Sequence, residues 1–332
     1  MVEQMTKWER ISAATRGEEV DRVPYSFWRH FYDKETSASG LAEAMLNWQR
    51  LHGFDFLKVN PRAQYHAETW GGRYAYSGQP HVKPQLVELP VKDTADWGRL
   101  RVMPVDKGPL GEQLDALRLI GDGLRGEVPF VETVFSPLSV LGYLAEHEML
   151  LRDMREHPDA IHTALTTVTE TFAKFAQTCV DVGATGIFFA TTAWATKKTL
   201  TEAQYAEFGR PYDLRVLAAV QGACFNLLHV CREESMLYAL SDYPVQGINW
   251  AATSPTNPSL AEAKTKIAGK ALIGGISDGA LTASGTEKAI AETKAAFRQT
   301  GGRQWILAGD CSIPTTSNDA NIKAIKATLE QM

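Results

Sequence analysis

Asn226-Leu-Leu-His-Val-Cys231 is a short apolar run that carries a histidine and a cysteine two positions apart. In a β-strand, residues i and i+2 point to the same face. His229 and Cys231 therefore converge if this run is a strand. An imidazole and a thiolate on one face are half of a zinc site, and a third ligand has to come from elsewhere. The candidate is Cys311, in Ala308-Gly-Asp-Cys-Ser-Ile-Pro314, just past another apolar run. Bringing the three together requires a fold whose strands end side by side around one opening.

Similar runs recur along the chain. Val23–Trp28, Phe54–Asn60, Phe130–Phe135, Thr185–Ala190, Cys224–Cys231, Val245–Trp250, Ala271–Ile276 and Gln304–Ala308 read as eight strands. Helical patterns alternate with them. Thr6-Lys-Trp-Glu9 is a capping box that opens a helix to about Arg16, and the apolar spacing of Leu41–Leu51 stops at His52-Gly53. Further helices are expected over Gly111–Leu124, over Leu138–His147, and from Pro158 to Val182, with Gly183 as the stop. Thr201-Glu-Ala-Gln204 opens another that Pro211 breaks or kinks. A short helix follows the fifth strand, and Pro258–Ala268, Thr286–Gln299 and Asn318–Gln331 complete the set.

Strands alternating with helices mean βαβ units and a parallel sheet. Eight units in one chain predict an α/β fold, a (β/α)8 TIM barrel, as a single domain over residues 1–332. An open doubly wound sheet is the rival, but no Gly-x-Gly-x-x-Gly follows an early strand. Residues 61–129 break the pattern. Gly71-Gly72, Gly78 and the alternation over Val82–Leu89 predict a long insertion after the second strand, with a small hairpin. So long an interruption is usually functional, often a lid.

Composition limits the function. A 44% hydrophobic share supports a full core, and a net charge of -5 gives no general pull toward nucleic acid or anionic membrane. No run is basic, no stretch is apolar enough to span a bilayer, and Met1-Val-Glu-Gln-Met5 does not read as a signal peptide. Four cysteines in 332 residues are no disulfide framework, which points to a reducing, cytoplasmic setting with thiols free for metal. Cys179 and Cys224 are expected in the core.

In this barrel the active site lies at the C-terminal ends of the strands. Those ends read Trp28-Arg29-His30, Asn60, Glu132–Ser136, Thr191-Thr192, His229-x-Cys231, Asn249-Trp250, Ser277-Asp278 and Asp310-Cys311. Two thiolates and one imidazole form an N/S ligand set of the kind zinc takes, with one tetrahedral position open for substrate. Glu132, Asp310 and His30 are expected to bind substrate or orient ligands, and Asn60 belongs to the same rim. Arg29 is placed to pair with an anionic group, and Trp28, Tyr65, Trp250 and Asp278 to wall a broad pocket. The plainer alternative is a hydrogen-bonded core histidine and buried cysteines.

Several motifs carry a resemblance: Asp21-Arg-Val-Pro24, Gly183-Ala184, Phe208-Gly-Arg-Pro-Tyr212, His229-Val-Cys231, Asn249-Trp250, Gly274-Gly-Ile-Ser-Asp278 and Gly309-Asp-Cys-Ser-Ile-Pro314 with Asn321-Ile322. Together they resemble the uroporphyrinogen decarboxylase superfamily, which implies a (β/α)8 barrel. One branch decarboxylates uroporphyrinogen without a cofactor. The other contains zinc-dependent methyltransferases working between a corrinoid protein and a thiol, and its His-x-Cys…Cys ligands match His229, Cys231 and Cys311. The decarboxylase branch has an Arg-Gln-Ala-Gly-Arg signature where this chain reads Phe27-Trp-Arg-His-Phe31. Its essential aspartate falls where Asn60-Pro61-Arg62 stands, and its Gly-His-Gly appears as Gly309-Asp-Cys311. The resemblance thus implies a methyltransferase with Zn2+, a corrinoid (cobalamin) methyl carrier or corrinoid protein, and a small thiol or folate acceptor. A divergent decarboxylase and a non-catalytic tetrapyrrole-binding protein are the alternatives.

Overall fold

The computed structural model describes residues 4–332; Met1–Glu3, part of the stretch read above as no signal peptide, lie outside the described residues. The elements run in the order α1 (Lys7–Arg16), α2 (Ala38–His52), β1 (Leu57–Val59), α3 (Tyr65–Glu68), β2 (Arg73–Ala75), β3 (Gln85–Glu88) and α4 (Gly108–Leu124). Next come β4 (Phe130–Phe135), α5 (Pro137–Leu144), α6 (His147–Glu156), α7 (Pro158–Asp181), β5 (Gly186–Ala190), α8 (Glu202–Phe208) and α9 (Arg210–Ala219). The chain ends with β6 (Leu227–Val230), β7 (Gly247–Trp250), α10 (Leu260–Lys266), β8 (Ala271–Ile276), α11 (Asp278–Leu281), α12 (Glu287–Thr300), β9 (Trp305–Gly309) and α13 (Asp319–Leu329).

Among the described residues, seven parallel strands pair in the order β1-β4-β5-β6-β7-β8-β9. The eighth stave is shorter than the expected strand Val23–Trp28: it survives as a single parallel bridge, Tyr25 to Leu307. Pro24 has no N–H to give, so the ladder there is thin. It nevertheless closes the curled sheet. Ser26 N donates to Leu307 O and Leu307 N to Pro24 O on the β9 side, while Asp55 N donates to Tyr25 O on the β1 side. The result is the α/β barrel the periodicity predicts.

Side-chain parity sorts the interior from the outer layer. Phe56, Val131, Phe188, Leu227, Ala271, Ile273 and Ile306 fill the barrel, and Ile11 and Ala14 of α1 join them. α1 therefore plugs the N-terminal end, fixed by its Thr6–Glu9 capping box and a left-handed Gly17 cap. The odd residues Leu57 and Val59 pack outward under the helices.

Several boundaries move for local reasons. The strand expected from Cys224 begins at Leu227, because the Asn226 side chain replaces the ladder: it accepts from Ile187 N at 3.0 Å and donates to Val220 O at 2.8 Å. Cys224 is accordingly exposed rather than core, whereas Cys179 is buried in α7. No helix follows β6. Thr196 and Asn257 hold that segment in turns through bonds to Glu233 O (2.6 Å) and Ser235 N (2.9 Å). The helix expected over Leu138–His147 ends at Leu144, and α6, which the periodicity did not reveal, starts at His147. Pro211 does break its helix, as expected, at Gly209 between α8 and α9. The insertion contains the antiparallel hairpin β2–β3, the short α3 and a 3-10 turn at Thr94–Arg99. No described helix is long and apolar enough to cross a membrane.

Candidate metal centre

The C-terminal ends of β6 and β9 bring the expected trio together. His229, Cys231 and Cys311 place their ligand atoms within 4.8 Å of one another. The two sulfurs are 4.0 Å apart, and Cys311 Sγ lies 3.4 Å from His229 Nε2. Around a tetrahedral zinc with Zn–S of about 2.3 Å and Zn–N of about 2.0 Å, two sulfurs would sit about 3.8 Å apart and sulfur and nitrogen about 3.5 Å. Those two separations match that ion, and the donor set is the N/S kind it takes.

Backbone and neighbours pre-set this geometry. Arg232, directly after Cys231, has φ 74°, a left-handed conformation that costs free energy unless its surroundings enforce it. Asn257 does so, donating to Arg232 O at 2.9 Å and Ala251 O at 3.1 Å. The imidazole is fixed from the adjacent strand. His229 and Asn249 are register partners, and Asn249 Oδ1 lies 2.6 Å from His229 Nδ1. Asn249 Nδ2 donates to both Ile273 O and Gly309 O at 3.0 Å, so its oxygen has to face the ring. Nδ1 then carries the proton and Nε2 presents its lone pair toward the sulfurs. Asn249→Ala is expected to weaken metal affinity about 10- to 100-fold, read by titration against a competing chelator.

The sulfurs form a polarised pair. A hydrogen bond from Cys231 holds the Cys311 thiol well below the usual thiol range. Donating that bond pushes the Cys231 thiol well up, with burial adding to it. Asp278, at the start of α11, has its carboxyl raised by burial and by the charge of Cys311. Asp310 accepts from Thr253 N at 3.2 Å and from the Thr253 hydroxyl, and burial pushes it up to about 6.

The other residues expected at the rim are held by partners of their own. Glu132 faces the helix layer, opposite in parity to the interior Val131, and accepts from Gln113 Nε2 at 3.0 Å. Burial holds its carboxyl well above the usual carboxylate range. Tyr65 is buried among Phe172, Phe175 and Phe135 and donates to Thr133 O at 2.8 Å. Trp250 lies beneath the following loop and donates to Pro258 O at 2.8 Å. Arg29 donates to Thr315 O at 2.8 Å and stacks its guanidinium 4.5 Å from the Trp48 ring centroid, which makes it a wall contact. His30 is tied to Glu35 at 3.0 Å and stacked on Tyr32. Trp28 sits in the barrel interior, its ring centroid 5.2 Å from that of Phe188. Glu132 and Trp250 share one origin: a strand end does not by itself say which face a side chain takes.

Three groups near the cluster have roles the sequence does not assign. Asn249, placed at the rim but given no role, is one. Tyr143 of α5 is another, its phenol raised by burial and by the charges of Cys231 and Cys311. The third is Lys58, in the middle of β1 and bonded to Asn60 Oδ1. Asn60 in turn donates to Ser312 Oγ at 3.3 Å, beside Cys311. Burial lowers the Lys58 ammonium to about 7. A charge inside an otherwise apolar strand was the available signal.

Comparison with known proteins bears on this arrangement. The family model described as Uroporphyrinogen decarboxylase (URO-D) matches residues 6–332. The chain is 20% identical over 340 residues to the methylcobamide:CoM methyltransferase MtbA of Methanosarcina acetivorans, covering 96% of each. It is 28% identical over 156 residues to a uroporphyrinogen decarboxylase of Mycobacterium sp. (strain KMS), covering 45% of this chain and 42% of that one. A solved methyltransferase from Methanosarcina mazei shares the fold, with a TM-score of 0.85 and 21% identity over 99% of both chains. The chain belongs to the uroporphyrinogen decarboxylase family, whose members similar to it are enzymes of two kinds, methyltransferases and decarboxylases.

Proposed function

We propose that this member of the uroporphyrinogen decarboxylase family is a zinc-dependent methyltransferase, acting as a single domain over residues 1–332. It moves a methyl group between a corrinoid, free or protein-bound, and a thiol or folate acceptor. The observation that carries this reading is the convergence of one imidazole and the sulfurs of Cys231 and Cys311, their ligand atoms within 4.8 Å of one another. Similarity to a methylcobamide:CoM methyltransferase along nearly the whole chain supports it, while similarity to the Mycobacterium decarboxylase spans 45% of the chain.

His229, Cys231 and Cys311 would hold the ion. Bound zinc would supply one thing, conversion of a docking thiol into a thiolate, which at a free-thiol pKa of about 8.5 is otherwise mostly protonated at neutral pH. The chain's own residues do the rest. Asn249 fixes the imidazole tautomer, and the left-handed turn at Arg232 aims Cys231. Asp278, Asp310 and Asn60 supply the polar part of the rim around Cys311. The roles first read for Glu132, Tyr65, Trp250 and Arg29 become structural in this account. Positioning of two reactants over one opening accounts for the remainder of the rate.

Dialysis against a strong chelator is expected to remove methyl transfer from methylcobalamin to a thiol, and stoichiometric zinc to restore it. Full activity without metal would refute the reading. Porphyrinogen turnover indifferent to zinc would favour a decarboxylase instead.

A further inference from the structure

Lys58 is 4% exposed and lies on the interior face of the barrel, in parity with Phe56 and Asn60. Its ammonium sits 4.8 Å from the Phe188 ring centroid and 5.8 Å from that of Trp28. One neutral amide, Asn60, accepts from it. Among the described residues it has no carboxylate partner; Glu132, on the neighbouring strand, is turned toward Gln113. A desolvated cation held only by an amide and two ring faces is expensive to keep. A lysine placed there needs a negative charge to compensate it.

The sulfur cluster is the source that the interior face offers. The charge of Cys311 acts on Lys58 directly, and Glu132 is the other ionisable group that does so. Phe188 touches both ends, since its ring is stacked 5.4 Å from that of His229. Asn60 links the ammonium to Ser312, the residue after Cys311. Charge counting completes the argument. Two cysteine thiolates neutralise a divalent ion; a third thiolate, brought by a substrate, leaves one negative charge, and Lys58 carries one positive charge.

The geometry points to Lys58 as the internal counter-cation of the loaded cluster, compensating the negative charge that a substrate-borne sulfur brings. This rests on the zinc reading and deepens it. An anionic sulfur acceptor is matched by the buried cation, and a neutral nitrogen acceptor is not. Lys58 is a positioning residue on this account, because it acts on the bound thiolate through space. Without that negative charge burial disfavours the ammonium, which agrees with its depressed pKa.

The test uses cobalt(II)-substituted holoprotein, in which thiolate binding is read from the sulfur-to-cobalt charge-transfer absorption. Mercaptoethanol is the anionic probe and imidazole the neutral control. Lys58→Met is expected to take up metal like the wild type, to bind mercaptoethanol at least about tenfold more weakly, and to bind imidazole unchanged. Lys58→Arg, which keeps the charge, is expected to restore thiol binding to within a few-fold of the wild type. If Lys58→Met does not fold, Lys58→Gln carries the same expectation. A metal-loaded Lys58→Met or Lys58→Gln protein that binds mercaptoethanol as tightly as the wild type overturns the inference and leaves the zinc reading standing. A wild-type protein that takes up no metal overturns both.

Discussion

Replacing Cys311 by serine is expected to empty the site of zinc and to lower methyl transfer by ~1,000-fold or more, equivalent to about 4 kcal/mol of barrier. The loss should be of both metal and rate, because Cys311 Sγ is the atom nearest to each of the other two ligands, 4.0 Å from Cys231 Sγ and 3.4 Å from His229 Nε2. Serine keeps the size but gives a weakly acidic hydroxyl in place of a soft thiolate, which zinc binds poorly beside a cysteine and a histidine. The fold should be indifferent. Cys311 is partly exposed in the loop after β9, outside both core clusters, so the urea midpoint should imply a change within about 1 kcal/mol. Metal analysis, a methylcobalamin assay and a denaturation curve on the same preparation check all three expectations. A variant that lost stability as heavily as metal would recast the cysteines as structural.

The largest expected effect on stability lies at the other end of the barrel. Asp55 is fully buried and accepts from Arg10 Nη1 at 2.6 Å, from Arg22 Nη1 at 2.7 Å and from Tyr25 N at 2.9 Å. Arg10 is paired a second time with Asp21. The carboxylate thus fastens the short closing stave to β1 and fastens the plug helix α1 beneath it. Asp55→Ala removes the common anion, leaving Arg22 without its carboxylate and the buried Arg10 with Asp21 alone. Breaking a buried pair in this way typically costs about 3–5 kcal/mol. Urea unfolding should show that loss in the midpoint, and the zinc content of the folded fraction should stay unchanged, since the cluster lies at the opposite end of the strands. A loss under about 1 kcal/mol would mean that the closing stave is held by its backbone ladder alone.

The sequence carried the barrel because alternating strands and helices reflect burial on two sides, a pattern visible one segment at a time. Ala271–Ile276 was legible to the residue for that reason. The metal trio was legible because strand parity and strand-end position suffice to place it. Other features depend on pairing between strands. Asn249 matters through its register opposite His229, and nothing in the local pattern of Val245–Trp250 distinguishes it from any other buried amide. Glu132 and Trp250 were misplaced because a strand end alone does not say which face a side chain takes. Lys58 carries a charge visible in the strand, but its meaning appears only with Phe188, Trp28 and Asn60 around it. Cys224 shows the opposite failure: the apolar run continued through it, but Asn226 had already replaced the ladder.

The most direct measurement is X-ray absorption at the zinc edge on the purified, zinc-loaded protein, repeated with the Cys311→Ser variant. The account predicts a first shell with two sulfurs at about 2.3 Å and an imidazole nitrogen at about 2.0 Å. It also predicts that the variant retains no stoichiometric zinc. A shell of oxygen and nitrogen alone in the wild type, or the same sulfur shell in the variant, would contradict it.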